Sequence, residues 1–123
     1  MIFVFGSNLD GIHAGGAARY AHQQRGAVMG VGEGLTGECY ALPTLGHGFG
    51  AMQYFKLASH VSRFLVCAYQ HPKLTFQVTR VGCGIAGFSD EEVAALFEAA
   101  PPNCQFDEVW RPYLPTATFW GTF

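Results

Sequence analysis

Two glycine-rich loops hold the residue types that could do chemistry. The first runs from Gly6 and Ser7 through Asn8, Asp10 and His13 to Gly15-Gly16-Ala17. The second is Gly82-Cys83-Gly84-Ile85-Ala86-Gly87-Phe88. Each follows an apolar run and precedes a helical pattern. A helix N-terminus offers unpaired N–H donors and about half a positive charge. Glycine removes the side chains that would keep an anion away, so both loops suit a phosphate cradle. The other reading is a pair of tight strand-to-helix turns without a ligand. Neither loop is a dinucleotide fingerprint or a Walker loop, because the spacing fails and no Gly-Lys-Ser/Thr follows.

The side chains near the loops each have two readings. Asn8 either bonds a ribose hydroxyl or closes the strand end. Asp10, the only carboxylate in either loop, is either a general base that activates water or a solvated turn residue. His13 either donates to a phosphate and moves a proton, or sits on the surface. Cys83 precedes a helix, where thiol pKa values fall. A nucleophile there would also need an orienting base, and the alternative is a small residue fitting a turn. Arg80 either neutralises a phosphate or bonds loop carbonyls. Glu33 and Glu38 flank alternating glycines and could approach a ligand. His47, His60 and His71 lack ligand-like spacing, so neither a metal site nor a cofactor is expected.

These loops need elements to position them. Residues 2–5 predict a strand buried on both faces. Ala14, Ala17, Ala18 and Ala21 predict a helix over 13–25 that sits close to a sheet, stopped by Gly26. The alternating glycines of 27–37 predict a loop or a weak strand. Residues 39–42 predict a second strand ended by Pro43, and 44–52 a loop. Tyr54, Leu57, Ala58, Val61, Phe64, Leu65 and Ala68 follow helical spacing and predict a helix over 53–70, closed at His71-Pro72. Residues 74–81 predict a third strand. Ser89 and Glu92 form a capping box for a further helix, which Pro101-Pro102 ends. Residues 104–110 predict a last strand.

The alternation of strand and helix predicts the α/β class, with a mostly parallel sheet in three α/β/α layers. Ligands of such sheets bind beyond the carboxyl ends of the strands, where both loops should lie. The domain is expected to span 1–113. The aromatic tail, 114–123, is too apolar to float freely. It is expected to pack on the domain or a partner, and could join copies of the chain. Trp110 and Tyr113 are either core residues or aromatics that stack on a base.

The length of 123 residues fits one domain. Only 13% of residues are charged and 50% are hydrophobic, which argues against long disordered stretches. The net charge of −2 gives no basic field for duplex nucleic acid. A bound anion would therefore depend on backbone N–H groups. The opening apolar run has no basic segment before it and is too short for a signal peptide or membrane span, so a cytoplasmic protein without membrane association is expected. Cys39, Cys67, Cys83 and Cys104 form no C-x-x-C pair, so free thiols are expected. Glycine is the compositional anomaly, at 16 of 123 residues against a norm of roughly 7%.

Phe5-Gly6-Ser7-Asn8, Gly15-Gly16-Ala17 and the stretch Thr79-Arg80-Val81-Gly82-Cys83-Gly84-Ile85-Ala86-Gly87-Phe88 resemble the macro domain superfamily. In that family a strand ending in Asn, a Gly-Gly loop and a second Gly-x-Gly loop hold the distal ribose and diphosphate of ADP-ribose. The resemblance implies a truncated macro-like fold. It implies a ligand set of Asn8, Gly15, Gly16, Ala17, Gly82, Cys83, Gly84, Ile85, Ala86, Gly87 and Phe88. The second loop is most similar to the branch of terminal-ADP-ribose glycohydrolases and of antitoxins that strip ADP-ribose from DNA. That branch uses a Lys nucleophile and an Asp. Here Ala86 stands at the Asp position, and the only lysines are Lys56 and Lys73, away from both loops. The family's adenine-reading Asp, on an earlier strand, has no counterpart.

The whole chain also resembles small bacterial and phage proteins. The shared stretches are Phe5 to Leu9, Gly32 to Gly37, Tyr40 to Thr44 and Gly82 to Phe88. The resemblance implies a small-molecule partner, ADP-ribose or a related nucleotide diphosphate. Two alternatives stand beside it. One is a hydrolase acting on ADP-ribose derivatives through bound water, with Asp10 or His13 assisting. The other is a protein-interaction domain that takes no nucleotide.

Overall fold

Alternate residues of the first strand, β1 (Ile2–Asn8), feed two cores. Phe3 and Phe5 enter one and Val4 the other, as the two-residue period of a strand requires. The computed structural model describes residues 1–123. Helix α1 (Gly16–Gln24) lays Ala18 and Ala21 against Phe3, Phe5 and Ala41. On the other face, α2 (Tyr54–Gln70) sets Phe64 among Tyr40, Phe76 and Phe97, with ring centroids 5.0, 5.4 and 6.1 Å away. The short α3 (Asp90–Ala95) joins that larger core through Val93 and Ala94.

The remaining strands are β2 (Gly34–Thr36), β3 (Cys39–Leu45), β4 (Phe76–Val78), β5 (Cys104–Asp107) and β6 (Thr118–Gly121). Together they form one six-stranded sheet in the order β2-β3-β1-β4-β5-β6. Every neighbouring pair is parallel except β2 with β3. The protein is a mixed α/β fold with a mostly parallel sheet and helices on both faces. No helix is long and apolar enough to cross a membrane.

Several boundaries differ from the sequence expectation. Pro43 does not end β3. It pairs with Ser7, and the ladder shifts between Ser7 and Asn8. Proline has no N–H to give, but the Thr44 hydroxyl donates to the Ser7 carbonyl at 3.2 Å and restores a cross-strand bond. The third strand is three residues long rather than eight. A tight turn, with Val81 N–H on the Thr79 carbonyl at 2.7 Å, takes the chain out of the sheet. The strand expected over 104–110 ends at Asp107, whose carboxylate accepts the Val109 N–H at 2.9 Å and starts a 3-10 turn over Glu108–Trp110. Helix α1 begins at Gly16, because the residues before it form a clasped loop. Ser89 caps α3 by accepting the Glu92 N–H at 3.1 Å.

The tail joins the sheet, and its last residue reaches the α1 face. Strand β6 runs parallel to β5 and forms the sheet edge. The Trp120 indole donates to the Val78 carbonyl at 2.8 Å. Phe123 packs edge-on against Phe3 and Tyr20, with centroids 5.6 and 5.2 Å away. The fully buried Asp107 accepts from the Thr122 hydroxyl and the Phe123 N–H. Trp110 is wholly buried and donates to Asp90 at 2.8 Å, so it packs in the core.

Candidate functional site

The loops after β1 and β4 face each other across a cleft of about 610 Å3 at the carboxyl edge of the sheet. Asn8, Gly15, Gly16, Ala17, Gly82, Cys83, Gly84, Ile85 and Ala86 all line it. Gly87 and Phe88 stand behind the wall. Their N–H groups bond the Gly84 and Gly82 carbonyls at 3.0 and 2.9 Å, which closes the second loop on itself.

The cleft offers backbone donors and little side-chain charge. The N–H groups of Gly15, Gly16, Ala17 and Ala18 meet no acceptor in the protein, and no side chain caps α1. The same holds for the N–H groups of Gly82, Gly84, Ile85 and Ala86. A Cβ added at Gly15, Gly16 or Gly84 would meet nothing within 4 Å. Packing therefore does not demand glycine there, although Gly16 needs its positive φ of 55°. The omitted side chains leave open space in the cleft. No acidic side chain lines it, and Arg80 is its one cation. Arg80 is already engaged by Asp90 in a two-pronged pair, each bond 2.7 Å. This pairing holds the Asp90 carboxyl below its ordinary range.

Asn8 clasps the first loop. Its Nδ2 donates to the Ile12 carbonyl at 2.8 Å, and its Oδ1 accepts the Ile12 N–H at 3.0 Å. Cys83 is no activated thiol. Burial, with the nearby Asp90 charge, pushes its pKa up to about 12, opposite to the fall expected before a helix. Asp10 does not line the cleft. Its carboxylate accepts the His47 Nδ1–H at 2.6 Å and the Gly48 N–H at 2.7 Å. His13 is buried rather than on the surface. It donates Nε2–H to the Val28 carbonyl at 3.1 Å, and its Nδ1 has no partner. Burial lowers its pKa below 6.5. Glu33 pairs with His60 and Arg63 at 2.6 and 3.2 Å, away from the cleft. His71 donates to the Cys67 carbonyl at 2.7 Å. Glu38, like Tyr113, is exposed and lies off the cleft.

The chain matches no family model, no curated protein and no solved structure.

Several lining residues lie outside the ligand set expected from the sequence. Thr44 and Thr79 stand at the ends of β3 and β4, where their hydroxyls bond the Ser7 and Val4 carbonyls. Phe49 and Phe123 bring half-exposed rings to the cleft from distant parts of the chain. Only the glycines around Phe49 marked it as unusual, since an aromatic flanked by Gly48 and Gly50 has few neighbours to bury it.

Proposed function

We propose that the cleft binds ADP-ribose or a related nucleotide diphosphate. The diphosphate lies between the two loops and takes its hydrogen bonds from backbone N–H groups. The observation that carries this reading is the pairing of two sets of uncommitted donors across one cleft, with open space at Gly15, Gly16 and Gly84. Donors at the start of α1 also lie at the positive end of its dipole, which favours an anion. The volume of about 610 Å3 suits a ligand of nucleotide size. The macro-like loops supply ADP-ribose as the first ligand to try. Binding is favoured over turnover because neither Asp10 nor His13 lines the cleft, and Cys83 holds its proton. Four free cysteines fit a cytoplasmic setting.

Isothermal titration with ADP-ribose, followed by a melting scan, tests the reading. At 100 times Kd the ligand should stabilise the fold by about 2.7 kcal/mol. Absence of both heat and a melting shift at millimolar ADP-ribose would remove that ligand.

A further inference from the structure

The cleft carries one feature that phosphate binding does not use. The Phe49 ring lines the cleft and is 47% exposed. Its φ of 60° makes it the one non-glycine residue in the left-handed region, and the preceding Gly48 has φ 62°. A bulky residue rarely adopts this conformation. The turn that enforces it is fastened at several points. Gly46 N–H bonds the Gly50 carbonyl at 2.8 Å, and Gly50 N–H bonds that of His47 at 3.1 Å. Asp10 then ties the turn to the first loop through His47 and Gly48.

Topology sets where this ring lies. The turn leaves β3, which flanks β1 on the side away from β4. The two loops of the phosphate cradle leave β1 and β4. Phe49 therefore flanks the cradle on the β3 side, next to the first loop. Exposed Ile12, also lining the cleft, adds apolar surface from that loop. Phe123, 56% exposed, packs on Phe3 and Tyr20, whereas Phe49, 47% exposed, has no aromatic partner within the protein. A strained backbone that presents a large apolar ring to a cleft fits a contact made with the ligand.

We propose that Phe49 is the stacking platform for the planar nucleobase of the bound nucleotide, and that Asp10 is the positioning residue that holds it there. The inference rests on the nucleotide reading above. A base presents a flat π-face to such a ring whatever its edge pattern, so the site selects for an aromatic base rather than for one base.

The test titrates ADP-ribose, and separately ribose 5-phosphate, into the wild type and into Phe49→Gly, Phe49→Tyr and Asp10→Ala. Glycine suits the left-handed position, so Phe49→Gly should melt at or above the wild-type temperature. Its affinity for ADP-ribose should fall about tenfold, while ribose 5-phosphate, which has no base, binds as before. Phe49→Tyr should keep ADP-ribose affinity. Asp10→Ala should weaken ADP-ribose and spare ribose 5-phosphate. Wild-type affinity for ADP-ribose in Phe49→Gly overturns the platform and leaves the nucleotide reading standing. So does an equal loss of both ligands, or a lower melting temperature that marks the ring as a packing element. A wild type that binds no ADP-ribose overturns both readings.

Discussion

Gly32 and Gly37 lie in very different surroundings from Gly15 and Gly84 of the cleft. A Cβ on Gly32 would collide with the Asn8 carbonyl and stand 3.0 Å from that of Leu9. A Cβ on Gly37 would collide with the Gly26 carbonyl and stand 2.8 Å from that of Arg25. At these two positions backbone lies directly on backbone, and only a missing side chain permits it. At Gly15 and Gly84 nothing lies within 4 Å. One pair uses glycine to bring chain against chain. The other leaves out the side chain where no part of the protein takes up the space. Both read alike as glycine clusters, and only the neighbouring atoms separate packing from vacancy.

The largest expected effect tests the packed region. Gly32→Ala should cost about 3 kcal/mol in urea denaturation, because two rigid carbonyls must move to admit one methyl group. A loss below about 0.5 kcal/mol would show that the segment adapts and would break the contrast. The converse change is Gly84→Ala. It should leave stability within about 0.5 kcal/mol of the wild type. Its affinity for ADP-ribose should still fall about tenfold, or about 1.4 kcal/mol. Unchanged affinity would mean that the open space beside the second loop goes unused.

The smallest effect concerns His13, which buttresses the packed region through the Val28 carbonyl. Burial depresses its pKa below 6.5, and the nearby His22 acts in the same direction. The unfolded imidazole takes up a proton near pH 6.5, but the folded one does so only at lower pH. Stability is therefore complete above pH 6.5 and declines as pH falls below it. Melting temperature should drop between pH 7 and pH 5, with a shallower slope in His13→Gln. Parallel slopes would assign the acid sensitivity to another group.

Much of the scaffold was legible because its signals are local. The spacing of Leu57, Val61, Phe64 and Ala68 identified α2, whose buried face they form. Ser89 marked the start of α3, since a cap needs only its own turn. The continuous apolar runs pointed to a parallel sheet covered on both faces. Pro43 misled because its effect depends on the partner strand: Ser7 stands opposite it, and Thr44 makes the compensating bond. Asn8 and Asp10 were visible as polar groups in a loop. Their partners, Ile12, His47 and Gly48, are found only once the loops have folded. At Cys83 the position before a helix argues for a lowered thiol pKa, whereas the burial that raises it depends on elements distant in sequence.

Periodicity and turn chemistry act over a few residues, so the α/β class, the two glycine loops and their place at strand ends could be read along the chain. The tertiary structure decided that residues lining both loops hold uncommitted N–H donors around one cleft, that Gly32 packs while Gly84 leaves room, and that Phe49 and Phe123 reach the same space. Those are distances between atoms far apart along the chain. They are set by the crossovers of the sheet, and no local pattern encodes them.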